Sequence, residues 1–291
     1  MKKTILCIIS ALSLMGACNK GDVFATWRDP SKYVIVSDES YFTVMQYNVW
    51  GYDSPWTPER FDRVAAVINS QKPDFVSLNE IDSLTRANPW FQCRELAERT
   101  GMFYAYAIAR EPYSLHWNQP GAYGDAVLSR YPIEEIRRFK LYPDPAQGDE
   151  EREDRAVCAI RVRVGSHSVW IASTHLDHRD VELSRITQAN QLKKVVESLD
   201  GTLVLCGDLN ANPDTETIRI ISEYLTPQYP SPSQEYYTYP SKYNGRQTPN
   251  QLLDYIMVKK DNPGVRCMSY RVVNSPASDH CAVVASFRFN D

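Results

Sequence analysis

The amino-acid sequence predicts one mixed α/β (α+β) domain in which helices flank two packed β-sheets. Runs of β-rich composition alternate with segments whose apolar residues recur at helical spacing, a pattern typical of sheets covered by helices. The chain has 291 residues, of which 43% are hydrophobic and 23% charged, so it can bury a large core. Neither an internal repeat nor a linker interrupts the pattern after residue 38, which favours a single domain.

The first residues have the pattern of an export signal. Two lysines precede a short apolar run at residues 5–15, and small residues precede Cys18. The run is shorter than the roughly 20 residues that a transmembrane helix needs. Cys18 in this setting resembles the lipidated cysteine of bacterial lipoproteins, with plain cleavage as the alternative. We therefore expect a signal peptide at residues 1–18, a tether at 19–38 and the domain at 39–291. The protein would be exported and anchored to a membrane by lipid, facing the periplasm or the cell surface.

The charge and the cysteines bear on partners and on compartment. The net charge is −4, and removal of the leader with its two lysines would make the chain more acidic. Nonspecific affinity for nucleic acid comes mainly from cationic contacts to phosphates, so this charge argues against duplex DNA as a substrate, although local basic patches can exist. The cysteines beyond the leader are scattered without zinc-site spacing. We expect most of them to be buried apolar residues, although export would allow one disulfide.

The elements follow in chain order. A first strand covers residues 41–48, and the next segment is a helix that Thr57 caps, Pro58 opens and Pro73 ends. A second strand covers residues 75–80. The other predicted strands cover residues 102–108, 126–129, 133–139, 155–164, 169–174, 252–258, 265–273 and 281–289, and the other predicted helices cover 88–101, 182–199 and 215–224.

Polar side chains stand where these apolar runs end. Residues 203–207 lead into Asp208, and Asn210 follows two positions later, on the same side of an extended chain. Taken alone, this segment is equally consistent with a turn. Burial of such groups is costly unless they share a cleft, so their recurrence predicts one site at the strand ends. The other members of this set are Asn48, Glu80, His175, Asp254, Asp279 and His280.

Seven short motifs occur in a fixed order between residue 41 and the C-terminus. They are QYNV at 46–49, PDFVSLNE at 73–80, LSRYP at 128–132, STHL at 173–176, GDLN at 207–210, LDYI at 253–256 and SDH at 278–280. The ordered set resembles the endonuclease/exonuclease/phosphatase superfamily, which includes DNase I, apurinic endonucleases, inositol polyphosphate phosphatases and bacterial sphingomyelinases. The resemblance implies a DNase I-like four-layer sandwich of two mixed β-sheets flanked by helices. It also implies a metal-dependent hydrolase of phosphate esters.

Two departures from the family pattern accompany the resemblance. Asn79 stands where the family more often has Gln, and Cys281 follows His280 where a larger residue is common. The first change should leave the metal site intact but alter the groups behind it. Arg185 and Gln188 match a pattern of some family members, yet their helical spacing also suits an exposed face, which is the interpretation we favour.

Hydrolysis of a phosphate ester requires neutralisation of a phosphoryl oxygen, an activated in-line water and help for the leaving oxygen. We expect Glu80 to bind the metal ion, with Asn48 and Asp279 beside it. Hard oxygen ligands that leave coordination positions open suit Mg²⁺ or Mn²⁺.

The other site residues are expected to handle the water and the phosphate. By the resemblance, Asp208 orients or deprotonates the attacking water, and Asn210 fixes the water or a phosphate oxygen. His280 would contact the phosphate while Asp254 holds its ring, and such a pair favours the imidazolium form. His175 would be a second phosphate contact or a proton donor. Asp177 and His178 are predicted to be loop residues. They are as consistent with a contact to the substrate as with none.

The substrate is a phosphate ester whose identity the catalytic set leaves open. Export, a lipid anchor, the acidic charge and aromatic-rich loops at 111–123 and 224–250 favour a small or lipid-linked diester or monoester. Tyr237, Tyr239 and Tyr243 would stack on a base or sugar, or else anchor their loop. The alternatives are a secreted nuclease, a sphingomyelinase-like phospholipase and a non-catalytic binding lipoprotein. The acid, amide and imidazole positions of the family are all occupied in this chain, which argues against a non-catalytic binding lipoprotein. No obligate protein partner is implied.

Overall fold

The computed structural model of the protein describes residues 25, 40–51, 56–85, 90–114, 118–146, 153–242, 248–261 and 263–290. The predicted signal peptide lies outside the described residues. So does the predicted tether except for Ala25, which makes an isolated antiparallel bridge to Ala105. Tyr243 also lies outside them. Among the described residues, no helix is long and apolar enough to cross a membrane.

The predicted strands and helices occur in the predicted order, with boundaries that shift by a few residues. The strands are β1 Tyr41–Asn48, β2 Phe75–Ser83, β3 Phe103–Arg110, β4 Tyr113–Ser114, β5 Gln119–Pro120, β6 Ala122–Ser129, β7 Ile133–Leu141, β8 Arg155–Val164, β9 His167–His175, β10 Thr202–Asp208, β11 Leu225–Pro227, β12 Asp254–Lys259, β13 Val265–Val273 and β14 Ala282–Phe289. The helices are α1 Pro58–Gln71, α2 Gln92–Thr100, α3 Leu183–Ser198 and α4 Glu216–Ile221, with a short 3₁₀ helix at Gln234–Tyr236. Three short strands, β4, β5 and β11, were not predicted.

Helix α1 illustrates how local chemistry sets these boundaries. The side chain of Thr57 accepts a hydrogen bond from the backbone N–H of Arg60, and Pro58 occupies the first turn, where a missing N–H costs nothing. Lys72 adopts a left-handed conformation and ends the helix just before Pro73. The sequence-based cap and stop of this helix are therefore present.

Two six-stranded mixed sheets form the centre of the molecule. The first has the strand order β13-β14-β1-β2-β6-β3, and the second has the order β11-β12-β10-β9-β8-β7. The pairs β1–β2 and β9–β10 are parallel, while most other neighbours are antiparallel. Parallel neighbours end at the same edge, which brings the polar residues that follow them together.

Three hydrophobic cores separate four layers. One core lies between the sheets and contains Phe42, Phe75 and Ile160, among others. A second fills the space between the first sheet and helices α1 and α2, and a third lies under α3 and α4 on the second sheet. The predicted four-layer sandwich is confirmed by this arrangement.

Two of the sequence-based predictions were wrong. Tyr123 lies in strand β6 and is 5% exposed, so it is no part of an aromatic loop between strands. Arg185 and Gln188 are buried on α3, because they bond to the loop that follows β9. The five cysteines of the described residues are free thiols, and four of them are buried.

Candidate active site

The strand register of the second sheet assembles half of the site. His175 ends β9 beside Asp208 at the end of the parallel strand β10, and Asp208 faces Asp254 at the start of the antiparallel strand β12. All three side chains are buried, with exposed fractions of 3%, 1% and 0%. Three residues that lie far apart in the chain therefore stand side by side along one sheet edge.

The first sheet contributes Asn48 and Glu80. The Asn48 amide donates to Glu80 Oε1 at 3.1 Å and to Asp208 Oδ2 at 2.9 Å, so it joins the two sheets. Its Oδ1 accepts the backbone N–H of Trp50 at 2.9 Å. Asn48 thus holds both carboxylates in place, and any role as a metal ligand would use the remaining lone pair of its Oδ1.

Glu80 sits on a backbone irregularity. The pairing of β2 with β6 shifts register between Leu78 and Ile81, and Glu80 itself has a φ of 60°. Bulges of this kind are frequent beside active sites, where they redirect a side chain. Gly51 packs against this bulge so closely that a Cβ at its position would lie 1.6 Å from the Glu80 carbonyl oxygen.

His280 is paired with carboxylates on both sides of its ring. Its Nδ1 lies 2.8 Å from Asp254 Oδ2, and its Nε2 lies 3.6 Å from Asp208 Oδ2. Burial alone would lower the pKa of His280, but the negative charges of Asp254 and Asp208 raise it to about 10. The ring is therefore an imidazolium at neutral pH.

His175 has the opposite environment. Its Nδ1 lies 3.1 Å from Arg155 Nη1, its Nε2 lies 2.9 Å from Asn210 Nδ2, and Asp208 Oδ2 is 3.7 Å from the same Nε2. Burial, followed by the positive charges of Arg155 and His280, lowers the pKa of His175 well below its usual range. This ring is neutral at physiological pH.

Asn210 closes the site on the solvent side. Its backbone N–H donates to Asp208 Oδ1 at 2.9 Å, and its residue adopts a left-handed φ of 48°. The side-chain amide donates to the Leu176 carbonyl at 3.0 Å. Asp208 is thus held by the backbone of Asn210 and by the side chain of Asn48, with one oxygen directed toward the two histidines.

The carboxylates of the site repel one another. Burial, together with neighbouring charges that include Asp254 for Asp208 and Glu80 for Asp279, raises the pKa of both Asp208 and Asp279 to about 6. Burial raises the pKa of Glu80 as well, with a further contribution from Asp208. This concentration of negative charge and hard oxygen atoms fits a divalent cation.

Two sets of residues could hold such an ion. One ligand atom each from Asp208, Asp254 and His280 lie within 4.8 Å of one another. However, Asp254 and His280 already bond to each other, and His280 is cationic. Glu80 and Asp279 are only partly buried and are free of such a pairing, so the donor chemistry favours them as ligands.

A buried amide network lies beneath the site. Sequence reasoning placed Asn79 behind the metal site but did not identify its contacts. Asn79 Oδ1 accepts from Gln46 Nε2 at 2.5 Å and from the Asp208 backbone N–H at 3.0 Å. Asn79 Nδ2 donates to Asp125 Oδ1 at 2.7 Å. Gln46 also donates to Asp254 Oδ1 at 3.2 Å. Asn79 therefore supports Asp208 directly. The signal in the sequence was its position beside Glu80, where the family more often has Gln.

An ionic network that sequence reasoning also missed lies behind His175. Arg155, 2% exposed at the start of β8, donates to Glu153 Oε2 at 2.8 Å. Glu153 also binds Arg110 at 2.6 Å, and Arg179 pairs with Asp177 at 2.9 Å. In the sequence, Arg155 was recognisable as an arginine that begins a strand whose other residues are mostly apolar.

The loop after β9 is fixed from below by α3. Gln188 accepts the backbone N–H of Asp177 at 2.9 Å, and the Arg185 guanidinium donates to the carbonyls of Asp177 and Arg179. The exposed His178 places its Nδ1 3.3 Å from Arg155 Nη2. Arg185 and Gln188 are thus structural supports of the loop.

One aromatic residue of the predicted loop set reaches the site. The Tyr239 ring lies 4.7 Å from the His280 ring, centroid to centroid, at an angle of 44°. Tyr237 instead packs on the core beneath α3 and α4. Of the two described tyrosines, Tyr239 is therefore the one positioned to contact a substrate beside His280.

Comparisons with known proteins bear on the family and on the fold. The model of the Endonuclease/Exonuclease/phosphatase family matches residues 45–280. A search of the curated proteins finds no match. An endonuclease/exonuclease/phosphatase family protein from Bacteroides thetaiotaomicron has a TM-score of 0.68 at 16% identity, over 87% of this chain and 99% of that chain.

Two further solved structures share the fold. A mannosyl-6-phosphatase from Bacteroides thetaiotaomicron has a TM-score of 0.65 at 15% identity, over 85% of this chain and 100% of that chain. The human nocturnin catalytic domain with bound sulfate anion has a TM-score of 0.64 at 20% identity, over 87% of this chain and 94% of that chain. At these identities the likeness concerns the fold.

Proposed function

The chain belongs to the Endonuclease/Exonuclease/phosphatase family, and we propose that it is a divalent-metal-dependent hydrolase of phosphate esters. The observation that carries the proposal is the pair of hydrogen bonds from Asn48 to Glu80 and to Asp208. These bonds hold Glu80, which is suited to bind a metal ion, beside Asp208, which is suited to orient a water molecule. Phosphoryl transfer to water needs both groups at one phosphorus atom.

Asp208 is the base in this proposal. Its Oδ2 faces both histidines. The residue is held by hydrogen bonds that Asn48 and Asn210 donate to its carboxylate and by the one that its backbone N–H donates to Asn79. A water bound to this oxygen would be directed at the phosphorus and would lose its proton to the carboxylate as the new P–O bond forms. Rigid placement of the base lowers the entropic part of the barrier.

His280 supplies positive charge where the phosphoryl group becomes more negative. Because Asp254 binds Nδ1, the other ring proton on Nε2 points toward Asp208 and the reacting group. Such a preorganised cation stabilises the transition state more than the ground state. The imidazolium can also give its proton to the leaving oxygen.

Glu80 and Asp279, with Asn48 beside them, are the residues that would hold Mg²⁺ or Mn²⁺. When bound there, the ion would neutralise a phosphoryl oxygen and draw negative charge from the leaving group. Burial, with a further contribution from neighbouring carboxylates, raises the pKa of Glu80 and of Asp279, and a cation bound between them would stabilise their charged forms, which supports this assignment.

A small or lipid-linked ester is the substrate class that we propose. The net charge of −4 argues against a polyanionic duplex. Tyr239 beside His280 offers an aromatic surface for a sugar or another compact leaving group. Because a mannosyl-6-phosphatase shares the fold, a mannosyl 6-phosphate is a suitable first monoester to test.

The test is a substrate panel assayed with Mg²⁺, with Mn²⁺ and with a chelator. The panel contains bis-p-nitrophenyl phosphate, p-nitrophenyl phosphate, a mannosyl 6-phosphate, sphingomyelin and plasmid DNA. We expect metal-dependent turnover of a small ester, and a loss of about 1,000-fold or more in Asp208→Ala. The control is Asp261→Ala, which removes an exposed carboxylate outside the site.

The panel also decides among the alternatives. Cleavage of plasmid alone, with a steep dependence on salt, would make the protein a secreted nuclease. Release of phosphocholine alone would make it a sphingomyelinase-like phospholipase. A chain without turnover on any member would refute the hydrolase and leave the binding lipoprotein, whereas an Asp208→Ala variant as active as the wild type would refute the mechanism that makes Asp208 the base.

We also propose that the protein is exported and anchored through a lipid on Cys18. The basic start, the short apolar run and the small residues before this cysteine support the proposal. The test is metabolic labelling with a fatty-acid analogue in bacteria that express the full chain. Label should be lost in Cys18→Ala and retained in Cys7→Ala, and equal labelling of the two variants would contradict the anchor.

A further inference from the structure

We propose that Arg155 is a positioning residue that fixes His175 as its neutral Nε2–H tautomer, so that His175 is a hydrogen-bond donor to a phosphoryl oxygen and not an acid for the leaving group. The proposal rests on the hydrolase activity for its kinetic consequence. Its structural content, the tautomer of one ring and the residue that sets it, is independent of which ester is cleaved.

The contact between Arg155 and His175 determines which ring nitrogen of His175 carries the proton. The Arg155 Nη1 atom lies 3.1 Å from His175 Nδ1. A guanidinium carries five N–H donors, accepts no hydrogen bond and stays protonated in proteins. The lone pair of Nδ1 must therefore accept, and the single ring proton of a neutral His175 must lie on Nε2.

Arg155 is itself held in place by its neighbours. Its Nη2 donates to Glu153 Oε2 at 2.8 Å, and its Nη1 lies 3.5 Å from the hydroxyl of Tyr123, which is itself buried. Burial would raise the pKa of Glu153, but His178, Arg155 and Arg110 outweigh it and lower the pKa to about 2. Glu153 is therefore ionised at every pH of interest and keeps the guanidinium in place.

At the other ring nitrogen of His175, two hydrogen-bond donors are brought into conflict. His175 Nε2 lies 2.9 Å from Asn210 Nδ2, while the same Nδ2 donates to the Leu176 carbonyl at 3.0 Å. With the proton on Nε2, two donors face each other. Reversal of the Asn210 amide would instead set its oxygen against the Leu176 carbonyl oxygen. The contacts with Arg155, Asn210 and Leu176 cannot all be hydrogen bonds at once.

An acceptor that arrives from solvent resolves this conflict. Asp208 Oδ2 is 3.7 Å from Nε2, too far for a hydrogen bond, so this carboxylate, the nearest acidic partner among the described residues, does not accept the proton directly. A non-bridging phosphoryl oxygen could accept from His175 Nε2 and from Asn210 Nδ2 together. A donor pair aligned before the substrate arrives needs little reorganisation in the transition state.

The kinetic consequence concerns the leaving group. Loss of a general acid slows esters with poor leaving groups far more than esters with good ones, because a good leaving group departs without a proton. Loss of a neutral donor to a non-bridging oxygen slows both by a similar factor. We therefore expect His175→Ala to reduce kcat/KM by about 100-fold for an aryl phosphate and an alkyl phosphate alike.

The experiment combines spectroscopy with kinetics. Ring ¹⁵N spectra of the full-length protein, with His175 assigned by comparison with His175→Gln, should show a protonated Nε2 and an unprotonated Nδ1 at pH 7. Arg155→Lys retains a cationic donor and should retain this signature, whereas Arg155→Met should lose it and reduce kcat about tenfold. The control is Arg163→Met, which removes an exposed arginine from the same strand.

The outcomes separate this inference from the proposed function. A proton on Nδ1, a doubly protonated ring, or a His175→Ala penalty that grows with a poor leaving group would overturn the role of Arg155. If Arg155→Met fails to fold, the wild-type spectrum and the leaving-group comparison still decide. If no ester is turned over, the hydrolase is refuted, while the ¹⁵N spectrum still tests the tautomer.

Discussion

The two histidines of the site stand almost symmetrically about one carboxylate oxygen and carry different charges. Their Nε2 atoms lie 3.7 Å and 3.6 Å from Asp208 Oδ2, and both rings are buried. Behind His280 stands Asp254, and behind His175 stands Arg155. The residue that contacts the far nitrogen therefore decides whether an imidazole is a cation or a neutral donor.

Strand order explains how the two environments are kept apart. Asp254 begins β12 on one side of β10, whereas Arg155 begins β8, beyond β9 on the other side. Asp208 at the end of β10 lies between them. The acidic partner and the basic partner are thus held at opposite ends of the site by the hydrogen-bond ladder of a single sheet.

The largest loss of activity should follow removal of the cationic histidine, His280. His280→Ala deletes the only imidazolium expected among the described site residues, and we expect kcat/KM to fall about 1,000-fold on the substrate found in the panel. The measurement is steady-state kinetics at saturating metal. A loss smaller than that of His175→Ala would contradict the assignment of the charged role to His280.

A smaller effect, with a distinct pH signature, should follow Asp254→Asn. The pKa of His280 is raised to about 10 mainly by Asp254, so the wild-type ring stays charged until the pH exceeds that value. In the variant the pKa falls, and activity should be lost at lower pH as well as reduced about 100-fold at pH 7. An alkaline limb of the pH–rate profile in the same place as in the wild type would refute this role.

Metal binding should offset the repulsion on the acidic side of the site. Asp208 and Asp279 have pKa values of about 6, above the ordinary value of 3.8. The folded state then holds more protons than the unfolded state between pH 4 and 6, so the metal-free protein loses stability as the pH rises through that window. We expect Mn²⁺ to raise Tm by a few degrees more at pH 7 than at pH 5.

The control for that experiment is a variant that lacks the expected ligands. Glu80→Gln combined with Asp279→Asn should abolish the Mn²⁺-dependent shift in Tm and raise the stability of the metal-free protein at pH 7. Asp261→Asn, on the surface, should behave like the wild type. Equal Mn²⁺ shifts at both pH values, or a shift that survives in the double variant, would argue against Glu80 and Asp279 as ligands.

The smallest effect on chemistry, but a clear effect on stability, is expected for Gly51→Ala. A Cβ would lie 1.6 Å from the Glu80 carbonyl oxygen, so the bulge that carries Glu80 must move. We expect a loss of about 2 kcal/mol or more in the free energy of unfolding, measured with urea, and weaker binding of Mn²⁺. Wild-type metal affinity in this variant would show that the bulge does not position Glu80.

Much of the site could be predicted because its residues end strands. His175, Asp208 and Asp254 follow or open apolar runs, and strand ends in one sheet share an edge. The charge of His280 also followed from a neighbouring acid. The contacts of His175 with Arg155 and of His280 with Asp208 could not be predicted in the same way. Which side chains meet on neighbouring strands or across the two sheets depends on strand pairing and register, which the sequence does not display.

Arg155 and Asn79 show what that limit means. Arg155 stands one strand away from His175, and Asn79 reaches Asp208 from the other sheet. Their polarity was visible in the sequence, but the groups that they contact were not. Arg185 and Gln188 were assigned to an exposed face because helical spacing alone is silent about the loop that covers them.

The most direct test of this account is a pH titration of the two histidine rings by ¹⁵N NMR in the metal-free protein. From pH 5 to pH 9, His280 should remain doubly protonated, and His175 should remain singly protonated on Nε2. Two rings that titrate together near their ordinary pKa, or a charged His175 beside a neutral His280, would contradict it.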